Sequence, residues 1–307
     1  MEKILSTVLP IILILGLGYY CKRKEILSDK GIEGIKTLSI KFLWPLVLFY
    51  AFFTASYGIE TILYAGVNFA TNAIAFAIGI FMRPRVKEHG FSYPYLLSGF
   101  ETGMIGYAMF TLLFGAGNIS YLALLDVGHA LFIFPIFLSC LNMEQGQGTL
   151  RDSVKDMLKS TIMIALAIGM IAGLTGIGEV IMNSQAGMVI ERIYNLASSA
   201  NVVMILVVMG YNLSFSWKQV KESANVILVR MLIMVLCAVG SLWLIQIFVP
   251  LNVYLVSAVV VTYIMPPVYM LAVYVKDKKE NEFMSTTTTI YTVLTIIAFL
   301  IMTIFVK

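Results

Sequence analysis

The chain has 307 residues, 60% of them hydrophobic and only 12% charged, with a mean hydropathy of +0.90. A soluble domain is about half apolar and a quarter charged, so the composition is that of an all-α integral membrane protein with no soluble domain left over. The net charge of +4 sits in short loops between apolar runs and forms no basic face, which excludes nucleic acid as the partner.

A membrane crossing takes about 20 apolar residues, and the chain offers ten such runs: 4–20, 37–55, 61–82, 94–115, 120–141, 160–178, 193–211, 225–248, 252–275 and 285–306. Run 1 leads straight into CKRKE without a small-residue cleavage site, so it reads as a retained helix and not a signal peptide. The loops after runs 1, 3, 5, 7 and 9 carry the positive charge: Lys22, Arg23, Lys24, Lys30 and Lys36, then Arg83, Arg85 and Lys87, then Arg151, Lys155 and Lys159, then Lys218 and Lys221, then Lys276, Lys278 and Lys279. Loops after runs 2, 4 and 8 carry none, and the loop after run 6 has only Arg192. That alternation predicts cytoplasmic odd-numbered loops and both termini outside, in a multi-pass plasma-membrane protein. The longest loop, 142–158, is too short for a signalling domain.

Run 4 contains SGFETGMIGY, with a carboxylate, Glu101, among glycines. A charge at mid-depth costs about 2.5–3.5 kcal/mol on insertion scales, so such a residue faces protein or water and suggests a proton or cation site. The alternative is that Glu101 snorkels or pairs with a neighbouring hydroxyl such as Thr102. Run 5 places Asp126 and His129 three apart on one face, either a proton relay or a closed hydrogen bond holding helix 5 against helix 4. Asn201 in run 7 either faces the site or glues helices together. In run 9, Tyr263 and Tyr269 flank Pro266-Pro267, and the run STTTT, 285–289, reads as the cap that starts helix 10. Cys21, Cys140 and Cys237 are scattered, and no metal, cofactor or hydrolase motif accompanies them.

Ten helices divide into halves of five, 1–158 and 159–307, and an odd number inverts the second half. The fourth run of each half carries the helix breakers: Gly99, Gly103 and Gly106 in run 4, Pro266 and Pro267 in run 9. This is the pattern of a 5+5 inverted repeat whose broken, crossing helices 4 and 9 frame a binding site. The breakers have a second reading as close-packing glycines and simple kinks.

The sequence also resembles the auxin efflux carrier family, whose bacterial members export or exchange small organic acids. The resemblance lies in LPIILILGLGYYCKRKEILSDKGIEGIKTLSIKFLWPLVLF with Pro45, in GFETGMIGYAMFTLLFG, YLALLDVGHALF, IALAIGMIAGLTGI, VVMGYNLSF and TYIMPPVYMLAVY, and in the STTTT that follows. It implies a scaffold of helices 1, 2, 6 and 7, a transport unit of helices 3–5 and 8–10, and a site at the helix 4/helix 9 crossover. Asp126 matches a common acidic position of that family. Glu101 stands where Asn is usual, Ala108 where Pro is usual, His129 where Asn is frequent, and Asn201-Val-Val lacks the usual helix 7 proline. With Ala108 in place of proline, helix 4 is expected to break on Gly103 and Gly106. The expected function is secondary transport of a small organic anion, with Glu101 linking it to a proton or Na+. A cationic or neutral solute, a membrane-embedded enzyme and a sensor remain the alternatives. Apolar scaffold faces further suggest a homodimer.

Overall fold

The computed structural model describes residues 2–55, 57–115, 118–146, 149–212 and 217–305. The outermost residues of both chain ends and the last three residues of VVMGYNLSF lie outside them. Among the described residues all regular structure is helical: α1 (Glu2–Arg23), α2 (Asp29–Leu38), α3 (Trp44–Phe53), α4 (Ile59–Met82), α5 (Tyr93–Leu97), α6 (Tyr107–Phe114), α7 (Ile119–Phe132), α8 (Leu138–Glu144), α9 (Leu150–Leu158), α10 (Thr161–Leu174), α11 (Ile177–Met182), α12 (Gln185–Asn212), α13 (Trp217–Phe248), α14 (Val253–Ile264), α15 (Leu271–Tyr274) and α16 (Lys278–Phe305). Among the described residues, five continuous helical stretches are long and apolar enough to cross a membrane: 29–53, 59–85, 119–144, 220–248 and 278–302.

Local chemistry sets the boundaries. Ser28 caps α2 by accepting the Gly31 N–H at 3.1 Å, and Asn252 caps α14 by accepting that of Leu255 at 2.9 Å. Wide π-turns at Ser39–Leu43 and Ile133–Phe137 join α2 to α3 and α7 to α8. Each borders or contains a proline, Pro45 or Pro135, whose missing N–H forbids the ordinary helical bond.

Three expectations change. The long loop 142–158 contains α9, opened by Thr149 and Asp152, which bind each other's backbone N–H groups at 3.2 and 3.4 Å. The helix of run 6 ends at Leu174, because Gly176 adopts a left-handed φ of +75°, and a separate helix, α11, follows it. The STTTT run lies a full two turns inside α16. Asp277 is the residue that caps α16, accepting the Glu280 N–H at 2.9 Å, while Thr286, Thr287 and Thr288 are buried along its side.

The chain forms two compact units that interleave in sequence: Met1–Tyr57, Gly103–Ala123 and Lys159–Leu213 in the first, and Gly58–Thr102, Leu124–Leu158 and Ser214–Lys307 in the second. In the first unit α1 packs on α12 and α3 on α10. A Cβ on Gly18 would run into the Val207 carbonyl, and one on Gly210 into that of Leu15, so the α1–α12 contact is backbone against backbone. In the second unit α13 packs against α4, α5, α14 and α16, and Phe76, Tyr95, Phe132 and Phe137 form an edge-to-face aromatic core. Leu228, Leu232, Val235, Leu236 and Val239 leave one side of α13 apolar and exposed, as a lipid-facing helix requires.

Candidate functional site

Helix 4 stops at α5. Ser98 is extended (φ −117°, ψ 172°) and Gly99 takes φ +71°, a region that L side chains avoid, before helical structure resumes at Thr102. The break therefore falls on Gly99, and not on Gly103 and Gly106, which lie in the π-turn Thr102–Gly106 that leads into α6. Gly103 serves packing: a Cβ there would strike the Trp44 indole.

An unwound segment inside a membrane protein must find partners for every freed backbone group. Gly99 N–H donates to Asn72 Oδ1 (3.0 Å), Phe100 N–H to His129 Nε2 (3.0 Å) and Glu101 N–H to the Pro266 carbonyl (3.0 Å). The carbonyls of Leu96, Ser98 and Gly99 all accept from Arg230 of α13. Helix 9 stops with equal economy. Met265 is extended (ψ 147°), as a residue preceding proline must be, and Pro266 and Pro267 bring no N–H. The Ile264 carbonyl accepts from Thr295 at 2.6 Å and the Met265 carbonyl from Arg230 at 3.2 Å.

Glu101 ties the two breaks together twice. Its backbone binds Pro266, and its carboxylate Oε2 accepts the Tyr269 N–H at 2.6 Å, just ahead of α15. The side chain is 1% exposed, so neither snorkelling to an interface nor a solvated position describes it. The Asp126–His129 pair lies against the same break. Because His129 Nε2 accepts the Phe100 N–H, the ring proton is on Nδ1, where it donates to Asp126 Oδ1 at 2.9 Å. The pair thus joins run 5 to the unwound segment of run 4.

The remaining predicted residues divide between the two units. Tyr263 is held by Thr71 (2.8 Å) and Ser241 (2.7 Å) through its hydroxyl and sets its ring edge-on to Phe100. Tyr269 contributes its N–H, while its hydroxyl binds Thr292 at 2.7 Å. Thr102 Oγ1 is buried beside Glu101 with no hydrogen-bond partner among the described residues. Pro266 and Pro267 are buried. Thus Glu101, Thr102, Asp126, His129, Tyr263, Pro266 and Pro267 share the second unit. Asn201 belongs to the first, where its Oδ1 accepts from Ser39 at 2.6 Å. A cavity of about 640 Å³ in the first unit, lined by Tyr50, Tyr57, Glu179 and Asn183 among others, contains none of the predicted residues.

Sequence reasoning passes over three residues. Arg230 is a charge in the middle of an apolar run, and the rule that singles out Glu101 singles it out equally. Asn68 and Asn72 stand one turn apart in α4: Asn68 reaches the Leu125 carbonyl (2.9 Å) and accepts from Asn72 (2.8 Å), which holds Gly99. Two buried amides at i and i+4 in a membrane helix are the signal that could have found them.

No curated protein matches the chain, whereas a family model described as "Membrane transport protein" matches residues 3–306, nearly its whole length. An all-helical chain with apolar spans, two interrupted helices joined through a buried carboxylate and this match agree: the chain belongs to the membrane transport protein family, the auxin efflux carrier family.

Proposed function

We propose that this transporter is a secondary carrier of a small organic acid, working by alternating access at the place where helices 4 and 9 break. In this reading the ten runs are ten spans in a 5+5 inverted repeat, with runs 4 and 9 crossing and with odd-numbered loops in the cytoplasm. Runs 1, 2, 6 and 7 make the scaffold and runs 3–5 and 8–10 the transport unit. The interleaving of the two compact units supports most of that division: the first unit holds runs 1, 2, 6 and 7, the second holds runs 3, 8, 9 and 10 and run 5 from Leu124 on, and run 4 is divided between them after Thr102.

The observation that carries the reading is the Glu101 carboxylate on the Tyr269 N–H. An N–H freed by a helix break is where a carrier of this plan receives an anionic substrate group. Here the protein's own carboxylate occupies it. A second carboxylate cannot share a buried site while Glu101 is ionised, because like charges in low dielectric repel strongly. Protonation of Glu101 removes that repulsion and weakens its hold on Tyr269, so an anion enters as a proton binds. Anion and proton then move together, and an acidic exterior drives uptake.

The test is uptake of radiolabelled malate and malonate by proteoliposomes, with and without a pH gradient, in wild type and Glu101→Gln. Glutamine keeps an acceptor for the Tyr269 N–H but cannot titrate. Gradient-driven uptake in wild type that loses its gradient dependence in Glu101→Gln is the expected result. Uptake of neither acid by either protein, with a cationic solute stabilising the wild type against heat, would overturn the anion reading and make Glu101 the counter-charge of a cation.

A further inference from the structure

Arg230 is the largest fully buried side chain among the described residues, 1% exposed in the middle of α13. Besides the Tyr291 side chain, its hydrogen-bond partners are backbone carbonyls drawn from both breaks, which is unusual for a membrane arginine. Nη1 donates to Leu96 (2.7 Å) and Ser98 (3.3 Å), and Nη2 to Gly99 (2.7 Å) and Met265 (3.2 Å). The guanidinium carbon also lies 5.7 Å from the Phe100 ring centroid and 5.1 Å from that of Tyr291.

Carbonyls at the C-terminal ends of interrupted helices carry the negative end of the helix dipole, and in carriers built on broken helices such unwound carbonyls coordinate the coupling cation. Four oxygens from two segments converging on one positive charge is the geometry of a cation site. In this protein the charge is covalently attached. We infer that Arg230 is the resident cation of the two breaks, filling the place a metal cation would take, so that the cycle runs without Na+. A guanidinium holds its proton far more strongly than a carboxylic acid does, so this positive charge stays in place while Glu101 gains and loses its proton. The inference of a Na+-independent cycle rests on the transport reading above, whereas occupancy of the cation place by Arg230 does not.

The experiment is thermal unfolding of the purified protein in choline chloride, with Na+ or guanidinium added at millimolar concentration and constant ionic strength. Wild type and Arg230→Lys, which carry their own charge, should melt at one temperature in all three. Arg230→Ala should melt lower in choline and be restored saturably by either small cation, by about 3 °C at roughly ten times the dissociation constant. Restoration by guanidinium but not Na+ would make Arg230 only a hydrogen-bond clamp and overturn the proposal. Indifference of Arg230→Ala to both cations would overturn it too, as would a saturable Na+ shift in wild type. If Arg230→Ala does not accumulate, the wild-type and Arg230→Lys arms still decide, since a Na+ shift in either contradicts a filled site. For transport, wild-type proteoliposomes should take up malate equally in Na+ and choline. Loss of uptake in choline with an unchanged melting temperature would reject the Na+-independent cycle alone.

Discussion

The two helix interruptions reach the same result by different routes. In helix 9 the break is written in covalent structure: Pro266 and Pro267 offer no N–H and force Met265 to be extended. In helix 4 nothing covalent forbids a helix. Gly99 merely tolerates φ +71°, and the opening persists because Asn72, His129, Arg230 and Pro266 take the freed groups. A proline break is local and survives the loss of a neighbour, whereas a glycine break is held open by tertiary contacts and fails with them.

The largest effect should come from Gly99→Val. The left-handed conformation costs a β-carbon residue about 1–2 kcal/mol, and a Cβ there meets Val268 at 2.6 Å and Ile133 at 2.9 Å. Overpacking adds about 1–3 kcal/mol, so the variant should lose most of its folded yield by size-exclusion chromatography. Next comes Asn72→Ala, which strands the buried Gly99 N–H and should destabilise by about 1–3 kcal/mol in a thermal melt. Asp126→Asn is milder, about 1 kcal/mol, because an amide oxygen still accepts the His129 proton but without charge assistance. If the pair only positions the break, uptake per folded molecule stays unchanged in that variant, and a loss of uptake would make it part of a proton path. Pro266→Ala should be smallest, within about 1 kcal/mol, since Glu101 still holds the residue 266 carbonyl. A larger cost there than at Gly99 would reverse the comparison between the breaks.

The same distinction explains what the sequence disclosed. The double proline is a covalent restriction, and Met265 is extended ahead of it; the apolar runs are a matter of composition, and five helical stretches among the described residues are long and apolar enough to cross a membrane. Glu101 was visible because an isolated charge in an apolar run has few explanations. The break at Gly99 was not, because three glycines lie within eight residues and only the surroundings decide which takes a left-handed φ. Gly103 instead serves the close approach of Trp44. The role of STTTT was misjudged because Asp277 supplies a stronger cap earlier. Asn201 has two readings in the sequence, site or helix packing; its Oδ1 accepts from Ser39 within the first unit, and residue type alone does not say which neighbour an amide meets.

The claim at the centre of this account is that the paired breaks form the transport site and open to each side of the membrane in turn. Thr102, buried beside Glu101 with a hydroxyl that finds no hydrogen-bond partner among the described residues, is the position to probe. Thr102→Cys in a background with Cys21, Cys140 and Cys237 replaced by alanine should react with a membrane-impermeant thiol reagent from either face of the lipid bilayer, and substrate should slow both reactions. A thiol that reacts from only one face, or from neither, whatever the pH and the substrate, would contradict alternating access at the paired breaks.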